Sequence, residues 1–272
     1  MRKWLYNIIL ILLVVIFCVS SWVVVSYYWE GKQQADEFDQ LSQMVQQAQQ
    51  NAATEPTLPP TVPETTEAET VPTETEPKEM LPGYAELYAK NSHTVGWLRI
   101  DGTKINYPVM QTPASPDYYL KRDFNRQESS RGCLYVREAC DVFAPSDNVT
   151  IYGHMMADGS MFADLHDYVN PFYWDKNNIV CFDTLYECHE YRIFAVFKTT
   201  ATLGQGFAYH QMEDAADQQE FDDFIAKCKE LAFYDTGITP QYGDKIICLS
   251  TCEYSQDNGR LVVAAVRIED EE

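Results

Sequence analysis

Cys252 stands at the end of a strand-like run, and its surroundings suit a nucleophile. The segment Lys245-Ile-Ile-Cys-Leu-Ser-Thr-Cys252 alternates. As a strand it puts Ile246, Cys248, Ser250 and Cys252 on one face and Ile247, Leu249 and Thr251 on the other. Polar residues take over at Glu253, and Arg260 opens the last apolar run. Antiparallel pairing across a loop from Glu253 to Gly259 sets Arg260 beside Cys252. A thiol at a strand end beside a guanidinium is where nucleophiles are usually presented, because nearby positive charge favours the thiolate. Such a thiolate needs a proton partner. Ile151-Tyr-Gly-His154 is a second strand-like run, ending in a histidine and followed by the Asp158-Gly159 loop. His93 lies in a polar linker, His166 on a short helix, and His189 and His210 in polar surroundings, so none shares that strand-end setting. From spacing alone two readings stay open: a Cys252/His154 catalytic pair, or a packed strand-end cysteine and a satisfied histidine.

The elements that must hold these residues are mostly short strands. β-like runs cover Gly96–Ile100, Ile105–Met110, Leu134–Arg137, Val149–Tyr152, Ile179–Phe182, Tyr191–Thr199, Lys245–Thr251 and Leu261–Ile268, several separated by turn formers such as Asp101-Gly102 and Asn258-Gly259. Helices are expected over Leu81–Lys90, Met161–Tyr168 and Asp214–Ala232. In the last, Phe221, Phe224, Ile225, Cys228, Leu231 and Ala232 form one apolar face. Many short strands with few helices suggest a closed barrel rather than alternating βαβ units.

The N-terminal third has a different composition. Arg2 and Lys3 precede an uncharged run from Trp4 to Trp29, long enough to cross the roughly 30 Å hydrocarbon core of a bilayer. Aromatic residues mark both ends, and the basic flank favours a cytoplasmic N-terminus with the remainder outside. A cleaved signal peptide ending near Val19-Ser20-Ser21 is the rival reading, but the apolar run continues past that point. Residues 31–53 then read as a juxtamembrane helix, 54–80 as a Thr/Glu/Pro-rich stalk, and 81–272 as the globular domain, after an anchor over 1–30. A formal charge of −21 excludes nucleic-acid phosphates as partners. Seven of the eight cysteines lie outside the membrane run, an odd number that leaves at least one thiol free of disulfides. Cys181, Cys188 and His189 lack the paired spacing of a zinc site, and no metal or organic cofactor is expected.

Several of these segments resemble class B sortases. Leu249-Ser-Thr-Cys-Glu253 with Gly259-Arg260-Leu-Val-Val263 is similar to the family's nucleophile region. Ile151-Tyr-Gly-His154 with Asp158-Gly-Ser-Met-Phe-Ala163 is similar to its histidine segment. Tyr119-Leu-Lys-Arg-Asp-Phe124, Phe197-Lys-Thr-Thr200 and the long helix before the nucleophile strand look like further landmarks. The resemblance runs in order over about Gly83 to Ile268; the Cys252-to-Arg260 loop is shorter than the family's, and Thr200–Asp214 matches poorly. It implies a mainly β fold, a closed eight-stranded sortase-type β-barrel with peripheral helices, behind an N-terminal transmembrane helix. It further implies catalytic Cys252, His154 and Arg260, with Leu120, Ser250 and Glu253 contacting substrate. The partners implied are secreted proteins bearing a C-terminal sorting signal, a peptidoglycan-precursor or pilin amine, and the cytoplasmic membrane on whose outer face the domain sits. A surface cysteine protease needs the same Cys/His pair with water as acceptor, and a catalytically silent peptide-binding module needs only the groove.

Overall fold

A computed structural model of the chain describes residues 2–54, 78–202, 204–255 and 257–269. The expected stalk lies mostly outside the described residues. Residues 1–41 and 42–272 form two units. The described residues of the first are all helical. Helix α1 (Arg2–Thr54) is a single helix of 53 residues, about 80 Å long at 1.5 Å per residue. The change expected near residue 30 is therefore a change of composition inside one helix. Gly31 is the sole weak helix former between Trp29 and Lys32, and one glycine costs about 1 kcal/mol, too little to break a helix. The apolar side chains of its first half are exposed, Phe17, Trp22 and Tyr28 each by more than 70%. Length and composition make this helix a candidate membrane span.

In the second unit the end of α1 belongs to the globular domain. Val45 is buried and Asn106 Nδ2 donates to Ser42 Oγ at 3.0 Å. Gly83 (φ +84°) is required there, because a Cβ would stand 2.9 Å from the Val45 Cα. Helix α2 (Tyr84–Lys90) starts after that glycine, three residues later than the sequence suggests.

Eight strands follow among the described residues: β1 (Thr94–Arg99), β2 (Asn106–Met110), β3 (Leu134–Val136), β4 (Asn148–Tyr152), β5 (Ile179–Thr184), β6 (Glu190–Thr200), β7 (Ile246–Glu253) and β8 (Gly259–Arg267). They pair in the order β1-β2-β3-β4-β7-β8-β6-β5, and β5 pairs back onto β1, so the sheet closes on itself. The β2/β3 and β4/β7 pairs are parallel and the others antiparallel. Every expected strand is present, with ends moved by one or two residues.

Helix α4 (Gln218–Leu231) lies on the outer face. Phe221, Phe224, Ile225 and Cys228 pack in one cluster with Ile246, Cys248, Val262 and Ala264. Ile247 and Leu249 stay outside that cluster and are fully buried on the opposite, inner face. Burying each large apolar side chain contributes roughly 1.5–3 kcal/mol, so β7 is fixed from both faces. The helix begins four residues later than expected. Asp217 caps it by accepting from the Glu220 amide at 3.0 Å, whereas Asp214 turns back to the Asp147 amide at 3.0 Å. Met161–Tyr168 is not an α-helix but a 3₁₀ segment, Ala163–Val169, because Met161 (φ +57°) leaves the helical region to bridge Met155. Helix α3 (Pro171–Lys176), which the sequence reading passed over, opens on an Asn170 cap with proline in its first turn.

Candidate active site

Cross-strand partners in a sheet share a face, so the register builds the site row by row. Tyr135, Tyr152, Ser250, Val262 and Phe197 are successive partners across β3, β4, β7, β8 and β6. Two residues further along lies the next row on the same outer face. There Cys252 pairs with Arg260, which pairs in turn with Thr199. β4 ends at Tyr152, and the chain leads on through Gly153, whose amide still reaches the Ser250 carbonyl, to His154, which lines the same cavity as Cys252 and Arg260. Cys252 and Arg260 are therefore cross-strand neighbours on strands roughly 4.8 Å apart, with His154 just past the end of the adjacent β4.

This row lies beyond the part of the face that α4 covers. It opens into a cavity of about 400 Å³ lined by His154, Cys252, Arg260, Ser250, Leu120 and Tyr209, among others. Cys252 is half-buried and is the cysteine lining this cavity. Cys248, two residues earlier, is fully buried, and burial pushes its thiol far up, which disfavours the thiolate.

A larger cavity of about 720 Å³, lined by Cys181, Cys188 and His189, offers a competing thiol and imidazole. It is the poorer site. Burial, then Asp183, pushes the Cys188 thiol up to about 11, and burial pushes Cys181 up as well. Burial and Arg267 hold the His189 imidazole down. The raised thiols there disfavour the thiolate that nucleophilic chemistry needs, so size does not locate the active site.

His154 is held from both ends. Its Nε2 lies 2.7 Å from the Leu120 carbonyl oxygen. A carbonyl only accepts, so that nitrogen carries a proton and Nδ1 is left for exchange. Its own carbonyl accepts from the Phe162 amide at 2.9 Å. Gly153 is needed beside it, since a Cβ would come 2.6 Å from the Phe162 ring. The loop after His154 is fixed by Arg131, whose buried guanidinium reaches Asp158 at 2.6 Å and Ser160 at 2.8 Å. Burial alone would raise the Asp158 pKa, but hydrogen bonds from Ser160 and Arg131 outweigh it and hold the carboxyl below its usual range. His210 lines the same cavity, and burial, then Arg137 and Arg260, lowers its pKa.

Arg260 Nη1 donates to the carbonyls of Gly259 at 2.9 Å and Asn258 at 3.3 Å. Asn258 (φ +52°) takes the left-handed turn that returns the chain to β8, a conformation asparagine tolerates. Ser250 Oγ and the Tyr209 hydroxyl share a buried 2.6 Å hydrogen bond, and burial pushes Tyr209 up to about 12. Tyr209 is held by its carbonyl, which accepts from Asn148 Nδ2 at 2.9 Å.

Of the residues singled out in the sequence, His154, Cys252, Arg260, Leu120 and Ser250 meet at this cavity. Glu253 is turned away from it. It is 7% exposed, pairs with Lys198 at 2.9 Å and accepts from the Ser255 amide and hydroxyl. Burial would raise its pKa, but those partners hold it low, so it braces the β7–β8 loop. Tyr135, Tyr152, Tyr209 and Arg137 were not anticipated. Tyr152 could have been found as the strand neighbour of Ser250 on the face that carries Cys252, whereas Tyr209 sits in a stretch with no periodicity. His166 was set aside for its helical setting, yet its Nε2 lies 3.0 Å from the Cys252 carbonyl.

A strand-end thiol between an imidazole and a guanidinium, on the outer face of a closed sheet, has the arrangement of a thiol-dependent acyl-transfer site. The chain belongs to the sortase family, whose domain model matches residues 98–268. Sortases are cell-wall-anchoring cysteine transpeptidases. The chain is 27% identical to sortase B of Staphylococcus aureus over 267 residues, covering 97% of each chain. It is 34% identical to sortase B of Listeria monocytogenes over 185 residues, 65% of this chain and 71% of that one. The structure of a Staphylococcus aureus sortase B-substrate complex is similar with a TM-score of 0.73 at 26% identity, covering 89% of this chain and 100% of the other.

Proposed function

We propose that this protein is a membrane-anchored cysteine transpeptidase that cleaves a sorting signal after threonine and joins the acyl group to a cell-wall or pilin amine. The supporting observation is that His154, just past the end of β4, and the cross-strand pair Cys252 and Arg260 line one cavity. Cys252 thiolate attacks the threonine carbonyl, forming a C–S bond and an oxyanion that Arg260 hydrogen-bonds. The oxyanion collapses, the C–N bond breaks, and the leaving amine takes a proton from His154. A second amine then attacks the thioester and gives a proton to His154, and the C–S bond breaks to restore the thiolate. Leu120 and Ser250 line the path of the peptide. Glu253 contributes by holding the loop that carries Arg260. The reaction uses no metal or organic cofactor.

Incubating residues 42–272 with a library of threonine-containing peptides, with and without triglycine, tests this reading by product mass. The expected product is the N-terminal fragment ending in threonine joined to triglycine. Hydrolysed fragments alone, unaffected by triglycine, would establish a surface cysteine protease. Peptide binding without any product would establish a silent binding module.

The anchor reading is supported by the exposed apolar half of α1, and its orientation, with the N-terminus inside and the domain outside, by the basic Arg2 and Lys3 before it. Membrane fractions should retain the protein, and protease added outside cells should release a fragment cut in the Thr/Glu/Pro stretch. A mature protein beginning near Trp22 would overturn it.

A further inference from the structure

The nucleophile's own carbonyl is held by a side chain from outside the sheet. The last β4/β7 rung runs from the Gly153 amide to the Ser250 carbonyl at 3.1 Å. In a parallel ladder the next rung would bring the Met155 amide to the Cys252 carbonyl. The chain turns away at His154 instead, and Met155 bridges Met161. The Cys252 carbonyl thus loses its ladder donor beside the reacting thiol. His166 Nε2 fills that position at 3.0 Å, and because a carbonyl only accepts, this nitrogen carries the proton.

The segment that carries His166 is anchored independently. Phe162, Leu165 and Tyr168 are each fully buried, and the Tyr168 hydroxyl donates to the Asn177 carbonyl at 2.5 Å. From this 3₁₀ segment and the residue that caps it come both restraints on the reacting pair: the Phe162 amide on the His154 carbonyl and, four residues on, the His166 ring on the Cys252 carbonyl. We propose that His166 is a positioning residue that fixes Cys252 at a set spacing from His154 by supplying the rung that β4 leaves missing. The inference rests on the transpeptidase reading.

The test compares wild type, His166→Phe and His166→Gln, using triglycine and the threonine-containing peptide that gives the most product in the library. Misplacing a reacting group by about 1 Å can cost on the order of 100-fold in rate. His166→Phe keeps a ring and loses the donor. It should lower kcat at least about tenfold with KM for the peptide within about twofold, since nothing that touches peptide has changed. His166→Gln offers an N–H at similar reach and should recover at least half of the lost kcat. Wild-type kcat in His166→Phe, or no recovery in His166→Gln, overturns the proposal. Should phenylalanine lower the melting temperature, His166→Gln is compared with His166→Asn, whose amide falls short. Active glutamine with impaired asparagine supports positioning, and equal activities overturn it. Absence of product from wild type removes the transpeptidase reading and this inference together, whereas turnover in wild type with an indifferent His166→Phe removes the inference alone.

Discussion

Cys252→Ala is expected to abolish transpeptidation and to leave no covalent adduct with the threonine-containing peptide by intact mass. The loss should be complete within detection, because no other described thiol lines the cavity. In a covalent mechanism the acyl group has nowhere else to go, so oxyanion stabilisation and binding cannot compensate for the missing bond. Stability should hardly change. Cys252 is half-buried near the end of β7, and Glu253 beyond it keeps its ion pair with Lys198. Cys248→Ala is the matched control. That side chain is fully buried against the α4 cluster, so its truncation should lower the melting temperature while preserving kcat. Substantial turnover by Cys252→Ala would move the nucleophile to another thiol and sink the assignment.

Why the row was legible in advance has a physical explanation. Alternation along Lys245–Cys252 records which face each side chain takes, and the turn at Asn258-Gly259 fixes which residue of β8 comes back beside Cys252. His154 was legible for the same reason, as the end of an apolar run with a glycine before it. The strand list was legible too, since each strand is bounded by turn residues. What stayed hidden depends on contacts between elements distant in sequence. Glu253 looks like a groove residue when read beside Cys252, but in space it meets Lys198, 55 residues earlier. Leu120 was expected as an apolar contact, and its backbone carbonyl proves to be what orients His154. His166 reads as a surface histidine on a short helix; its role depends on β4 ending where it does, which no local pattern records. Similarly, the end of α1 belongs to the domain because Gly83 lets the two backbones approach, and that is visible only once both are folded.

The last expectation separates two roles for Arg260. It stands across the ladder from Cys252, and its Nη1 is already committed to the Asn258 and Gly259 carbonyls. A guanidinium carries five N–H donors in a rigid plane, so anchoring Nη1 fixes the plane in which the Nη2 and Nε donors of this cavity-lining residue lie. Lysine keeps the charge but has one rotatable ammonium, which cannot hold both loop carbonyls and still present an aimed donor. If Arg260 acts only as a positive charge favouring the thiolate, Arg260→Lys should retain most activity. If it aims donors at the developing oxyanion, geometry decides, and loss of one such donor costs roughly 100- to 1000-fold in turnover. Arg260→Lys is therefore expected to lose at least about tenfold in kcat, and Arg260→Ala more, toward the upper end of that range. Alkylation of Cys252 by iodoacetamide develops no oxyanion, so its rate should fall far less than turnover in both variants. Equal losses in the two assays would instead make Arg260 a stabiliser of the thiolate, and the oxyanion role would have to be given up.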